Sequence, residues 1–214
     1  MAKPLIQLAL DSLDLESAVV TAKNAADSVD IIEVGTILAF AEGMRAVRTL
    51  RALHPDHILV CDMKTTDAGA ILAEMAFKAG TDWLTVSAAA HIATIASCKK
   101  IADSYNKEIQ IEIYGNWTFD DAKAWVDLGI TQAIYHRSRD AEAAGKGWSE
   151  DDLNTMKKLS DIGLALSITG GIIPEDIHLF KEINAKAFIA GRAFTGEAGK
   201  LTAEKVRSEI NKYW

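Results

Sequence analysis

Six consecutive residues, Asp62-Met63-Lys64-Thr65-Thr66-Asp67, carry the densest chemistry in the chain, two carboxylates around one amine. On an extended segment residues two apart share a face, so Asp62 and Lys64 point the same way. Asp67 falls where the apolar run gives way to a helical pattern. A charged pair held away from water needs a partner or a ligand, so Asp62 and Lys64 form either a structural ion pair or the centre of a site. Asp67 has a plainer alternative as well, a helix-start carboxylate satisfying free backbone N–H groups.

Glu33, in the apolar run Ile31-Ile32-Glu33-Val34-Gly35, adds a second hard oxygen donor next to Asp62. With no His or Cys at metal-ligand spacing, two carboxylates favour Mg2+ over zinc, because Mg2+ takes one or two protein carboxylates and fills its other positions with water or substrate oxygens. Such a site, with Glu33 and Asp62 as metal ligands, would grip vicinal oxygens of a sugar while Lys64 stabilises developing negative charge, as an enediolate requires. His136-Arg137-Ser138-Arg139-Asp140 ends another run. Its imidazole handles protons near neutrality, Arg139 lies within reach from the following loop, and Arg137, of opposite parity, reads as structural. Thr169-Gly170-Gly171 and Gly191-Arg192 form a third constellation: glycines let backbone N–H groups approach an anion, and a guanidinium matches phosphate oxygens.

The elements that must position these residues repeat along the whole chain. Apolar runs at Leu5 to Asp11, Ile31 to Gly35, Ile58 to Lys64, Trp83 to Ser87, Glu108 to Gly115, Gln132 to His136, Ala165 to Gly171 and Ala187 to Arg192 read as strands. Helical patterns such as Leu15 to Ala26, Ala41 to Leu53 and Asp67 to Ala79 separate them. Strands joined by helical crossovers run parallel, and eight such units in 214 residues predict a (β/α)8 barrel spanning residues 1–214 as a single domain. Strand parity sharpens this. Ile6, Leu8 and Leu10 oppose Gln7, Ala9 and Asp11, so the aliphatic set faces the helices. The same count sends Glu33, Asp62, Lys64, Ser87, Glu112, His136 and Thr169 inward near the carboxyl ends, where barrel active sites lie.

Charge narrows the partners: 30 acidic against 23 basic residues give −7, which repels nucleic acid and anionic membranes. The amino terminus lacks a secretory pattern, and no apolar stretch reaches the roughly 18 residues of a membrane helix. Two cysteines without paired spacing, Cys61 and Cys98, read as buried free thiols of a cytoplasmic protein.

Together, Asp62-x-Lys64-x-x-Asp67 and the two glycine-bearing strand ends resemble the orotidine 5'-monophosphate decarboxylase suprafamily. The likeness runs through Ile31-Ile32-Glu33-Val34-Gly35-Thr36, Tyr135 to Asp140 and Phe188 to Arg192. Within it, Glu33 resembles the metal-using branch, since the orotidine branch carries a lysine there. The resemblance implies decarboxylation of 3-keto-L-gulonate 6-phosphate to L-xylulose 5-phosphate through an enediolate, in catabolism of the L-ascorbate type. It further implies Mg2+ on Glu33 and Asp62, substrate contact by Asp11, phosphate binding by Gly171, Gly191 and Arg192, and a pocket lined by Glu112 and Thr169. Proton delivery falls to His136 and Arg139, and Asp67 reaches the partner's site in a homodimer. Hexulose 6-phosphate synthase shares this framework, and Arg139 favours the decarboxylase. A sugar-phosphate-binding barrel without turnover is the alternative of another class, opposed by the presence of both Lys64 and Asp67.

Overall fold

Strands with an aliphatic face and a polar face solve two packing problems at once, covering a helical shell and filling a barrel. In the computed structural model, which describes residues 2–137 and 147–214, eight parallel strands do this: β1 (Leu5–Leu10), β2 (Ile31–Val34), β3 (Ile58–Thr65), β4 (Trp83–Ser87), β5 (Glu108–Ile113), β6 (Gln132–His136), β7 (Ala165–Thr169) and β8 (Ala185–Ala190). They pair in chain order, and β1 closes on β8 from Leu5↔Ala187 to Leu8↔Ala190. The (β/α)8 barrel expected from the repeat is the observed fold.

Outward-facing Ile6, Leu8, Leu10, Ile32, Val34, Ile109 and Ile111 are buried in the main core against the helices. Each such side chain contributes about 1.5–3 kcal/mol on leaving water. Inside the barrel, Ile31, Val60, Trp83 and Ala187 form a separate apolar plug. Beyond the plug the interior turns polar: Gln110 Nε2 donates to Gln132 Oε1 at 3.1 Å and to Ser167 Oγ at 3.2 Å. The alternation read from the sequence is therefore an interior of apolar, polar and finally charged layers.

The described helices are α1 (Leu15–Ala25), α2 (Thr36–Glu42), α3 (Met44–Leu53), α4 (Gly69–Ala79), α5 (Ile92–Ser104), α6 (Phe119–Asp127), α7 (Glu150–Ile162) and α8 (Gly196–Tyr213). Three expectations need correction. The helix expected over Ala41 to Leu53 is two helices, because Gly43 takes φ 56°, which ends α2 and restarts the chain as α3. The helix expected from Asp67 begins at Gly69, with Ala68 in the left-handed region and no side chain capping the start. After β7 the chain makes a 3-10 turn, Pro174–Phe180, where a longer helix was expected. Among the described residues, no helix is long and apolar enough to cross a membrane. Cys61 and Cys98 are free and buried, as their spacing suggested.

Candidate active site

A cavity of about 630 Å3 opens at the carboxyl ends of the strands. Glu33, Asp62, Lys64, Glu112, His136 and Thr169 line it, as parity predicted, together with Asp11, Gly170, Gly171, Gly191 and Arg192. Ser87, although of the same parity, does not line it; it is buried, and its Oγ accepts from Ala89 N at 3.1 Å. Asp67 is exposed and also lies off the cavity lining. No side-chain bond caps the start of α4, which removes the helix-start reading of Asp67. Arg139 lies outside the described residues.

Lys64 reaches the cavity by an irregular route. The β3–β4 register places Cys61 opposite Leu84 and Thr65 opposite Val86, so β3 carries two more residues than its neighbour over this stretch. Lys64 adopts φ 46° within it. Because the insertion is even in number, parity survives, and Asp62 and Lys64 still meet. Lys64 Nζ donates to Asp62 Oδ2 at 2.5 Å and to Thr36 Oγ1 at 2.7 Å. Glu112 Oε2 lies 2.9 Å from Nζ and forms a second ion pair with it. Burial works against the Lys64 charge, yet the Asp62 and Glu112 carboxylates outweigh it and hold the group above the usual lysine range. The amine is a fixed cation.

Around it, Asp62 is fastened on both oxygens. Thr85 Oγ1 donates to Oδ1 at 2.7 Å, and Thr36 Oγ1 donates to Oδ2 at 2.5 Å. Burial pushes its carboxyl up, but Lys64 and these hydroxyls bring the net shift down. Glu33 is the opposite case. Burial first, then repulsion from Asp62, pushes it up to about 8, although Gln7 Nε2 donates to its Oε2 at 2.6 Å. Glu112 Oε1 takes His136 Nδ1 at 2.8 Å. A carboxylate only accepts, so Nδ1 carries the proton in this pair and Nε2 is the nitrogen left for other work.

At the far side, glycines make room for backbone. A Cβ on Gly35 would stand 2.4 Å from Asp11 Oδ1, so only glycine lets β2 turn under that carboxylate. Gly170 and Gly171 take φ 108° and 70°, and Gly191 follows β8 with Arg192 beside it. Thr36, Thr85 and Gln7 were missing from the sequence reading of the site. Thr85 and Gln7 have inward parity and were findable by that signal, whereas Thr36 is the first residue of α2 and carries no such mark.

Glu33 and Asp62 also pass a chemical test for a hard divalent cation. Among the described residues no group of three or more His, Cys, Asp or Glu is placed to hold a metal. Two mutually repelling carboxylates at a cavity wall suit an ion that takes two protein oxygens and finds the rest elsewhere.

The mouth of the barrel thus sets an ammonium among carboxylates, with Gly170, Gly171, Gly191 and Arg192 lining the same cavity. The sequence profile of the orotidine 5'-phosphate decarboxylase / HUMPS family matches residues 4–206, and the chain belongs to that family. Among its relatives, a protein of Haemophilus influenzae named probable 3-keto-L-gulonate-6-phosphate decarboxylase is 60% identical, with both chains covered in full. The crystal structure of 3-keto-L-gulonate-6-phosphate decarboxylase from Vibrio cholerae superposes with a TM-score of 0.97 at 69% identity, again with both chains covered in full. A 3-hexulose-6-phosphate synthase of Salmonella typhimurium stands further off, at 28% identity and TM-score 0.89, covering 98% of this chain and 100% of its own.

Proposed function

We propose that this chain is a 3-keto-L-gulonate 6-phosphate decarboxylase that releases CO2 and forms L-xylulose 5-phosphate. The observation that carries the reading is the Lys64 ammonium fixed between Asp62, Glu112 and Thr36 in the mouth of the barrel. The full-length identity to decarboxylases supports it over the aldol alternative.

A carboxylate β to a ketone departs as CO2 when the electron pair it leaves is stabilised as an enediolate. Lys64 supplies a positive charge that burial and its neighbours have already oriented, so little reorganisation accompanies the change in substrate charge. Its raised pKa suits electrostatic stabilisation and makes it a poor proton donor. The proton that completes the product comes from the His136 side, where Glu112 fixes the ring through Nδ1 and leaves Nε2 to act through water. Gly171, Gly191 and Arg192 hold the phosphate, Thr169 and Gly170 shape the wall, and Asp11 contacts the sugar from β1. Glu33 and Asp62 would hold Mg2+, which when bound supplies a Lewis acid for vicinal substrate oxygens. The fit rests on the donor chemistry of the pair.

The active form proposed is a cytoplasmic homodimer. Phe40 on α2, with Ile71 and Met75 one turn apart on α4, are exposed apolar side chains, and Asp67 lies two residues before α4 begins. A second copy on that face would bring Asp67 to the partner's cavity, and two buried free thiols suit a reducing compartment.

The deciding assay supplies 3-keto-L-gulonate 6-phosphate with Mg2+ and follows CO2, with and without chelator. CO2 release lost with the metal is expected, and metal-independent turnover defeats the metal role. Faster condensation of formaldehyde with ribulose 5-phosphate, by kcat/KM, assigns the chain to the synthase instead. Mixing inactive Asp67→Asn and Lys64→Ala chains tests sharing, since hybrid dimers regain one competent site.

A further inference from the structure

Arg137 follows β6 beside the cavity but does not line it. Its guanidinium stacks on Trp148 at 4.6 Å, and its Nε donates to Gly170 O at 2.8 Å while a terminal nitrogen reaches Gly171 O at 3.5 Å. In a trans peptide the carbonyl of one residue and the N–H of the next point in opposite directions. Two carbonyls drawn to a cation on the outer side therefore turn the N–H groups of Gly171 and Ile172 towards the cavity that both residues line. Both glycines have the positive φ that such successive plane rotations require.

We propose that Arg137 is the positioning residue of the phosphate grip, its guanidinium holding the Gly170 and Gly171 carbonyls outward so that two consecutive N–H groups face the phosphate. The inference rests on the phosphate being held at this end of the cavity. Gly170 is seated against the same residue at the backbone, since a Cβ there would lie 2.5 Å from Arg137 O and 2.6 Å from Arg137 Cβ. The β6–β7 ladder continues through Arg137 N to Thr169 O at 3.0 Å, so the strand pairing does not depend on the side chain. Trp148, packed edge-on against Phe180, gives the guanidinium an aromatic platform beside the two carbonyls.

The test is steady-state kinetics and inhibition by inorganic phosphate for Arg137→Met, Arg137→Lys and, as control, Arg192→Met. Arg137→Met is expected to raise KM about tenfold and weaken phosphate inhibition by the same factor, with kcat within about threefold, and Arg137→Lys is expected to recover part of both. Unchanged KM and phosphate inhibition in a folded Arg137→Met, or a loss confined to kcat, overturns the proposal. Should that variant fail to fold, Trp148→Leu is read instead, with about a threefold rise in both constants expected and no change counting against the role. Phosphate inhibition untouched by Arg192→Met removes the phosphate site itself, whereas inhibition weakened by Arg192→Met beside a silent Arg137→Met removes only the positioning role.

Discussion

The two ends of the barrel both carry partly buried charge, and they use it in opposite ways. At the amino end Asp82 accepts from Arg51, from Lys107 Nζ at 2.5 Å and from Leu59 N at 2.8 Å. Arg51 goes on to donate to the carbonyls of Gly80, His54, Pro55 and His57. Burial tends to raise the Asp82 carboxyl, but these donors hold it below the usual carboxylate range. At the carboxyl end Glu33 is buried beside Asp62 and pushed up to about 8. One network is satisfied by the chain alone; the other keeps a repulsion that only a proton or a bound cation relieves. The difference separates a fastening from a site.

Removing the central cation at each end should split activity from stability. Lys64→Ala is expected to lower kcat about a thousandfold, the scale of a lost preorganised charge, in a protein that still unfolds cooperatively. Arg51→Met is expected to leave kcat unchanged while reducing unfolding free energy by about 2–3 kcal/mol in a urea titration. If Arg51→Met instead disables turnover in a folded protein, the division between the ends fails.

The pH dependence of the metal-free protein sharpens the contrast. Glu33 moves from its ordinary 4.5 to about 8 on folding, so the folded state is the better proton binder between those values. Its effect on stability is most favourable below about 4.5 and is lost as pH rises to about 8. Asp82 has the reverse sign, with stability present above its ordinary 3.8 and lost as pH falls through its lower folded value. Melting temperature without metal should therefore decline from pH 5 to pH 8, and Glu33→Gln or added Mg2+ should flatten the decline. A slope unaltered by Glu33→Gln refutes the assignment. The smallest effect expected is in Thr36→Val, which loses one donor to Asp62 and one acceptor for Lys64: about tenfold in kcat, with stability within about 1 kcal/mol. An unaltered kcat would make that hydroxyl a bystander.

Much of this was legible in the sequence because period and burial agree. Ile6, Leu8 and Leu10 against Gln7, Ala9 and Asp11 suffice to give inside and outside, and the strand ends then place Asp62, Glu112, His136 and Thr169. Where the backbone leaves its period, the sequence was silent. Nothing in the run Ile58 to Lys64 announces two extra residues against β4, and Gly43 inside an apolar helical pattern reads as tolerated until its φ shows a break. Thr36 escaped because a helix's first residue belongs to neither periodicity. Asp67 looks like a helix cap in sequence, and the start of α4 at Gly69, with no side-chain cap bond, sets that reading aside.

The irregularity in β3 bears on how such a chain changes over generations. A left-handed φ at a lysine is disfavoured by about 1 kcal/mol, and the extra length interrupts the ladder beside β4. Only Asp62, Met63 and Lys64 lie between Cys61 and Thr65, so restoring the regular register by deleting two residues removes Asp62 or Lys64 itself. The irregular stretch and the ammonium–carboxylate cluster are therefore one feature, and neither can be edited away without the other.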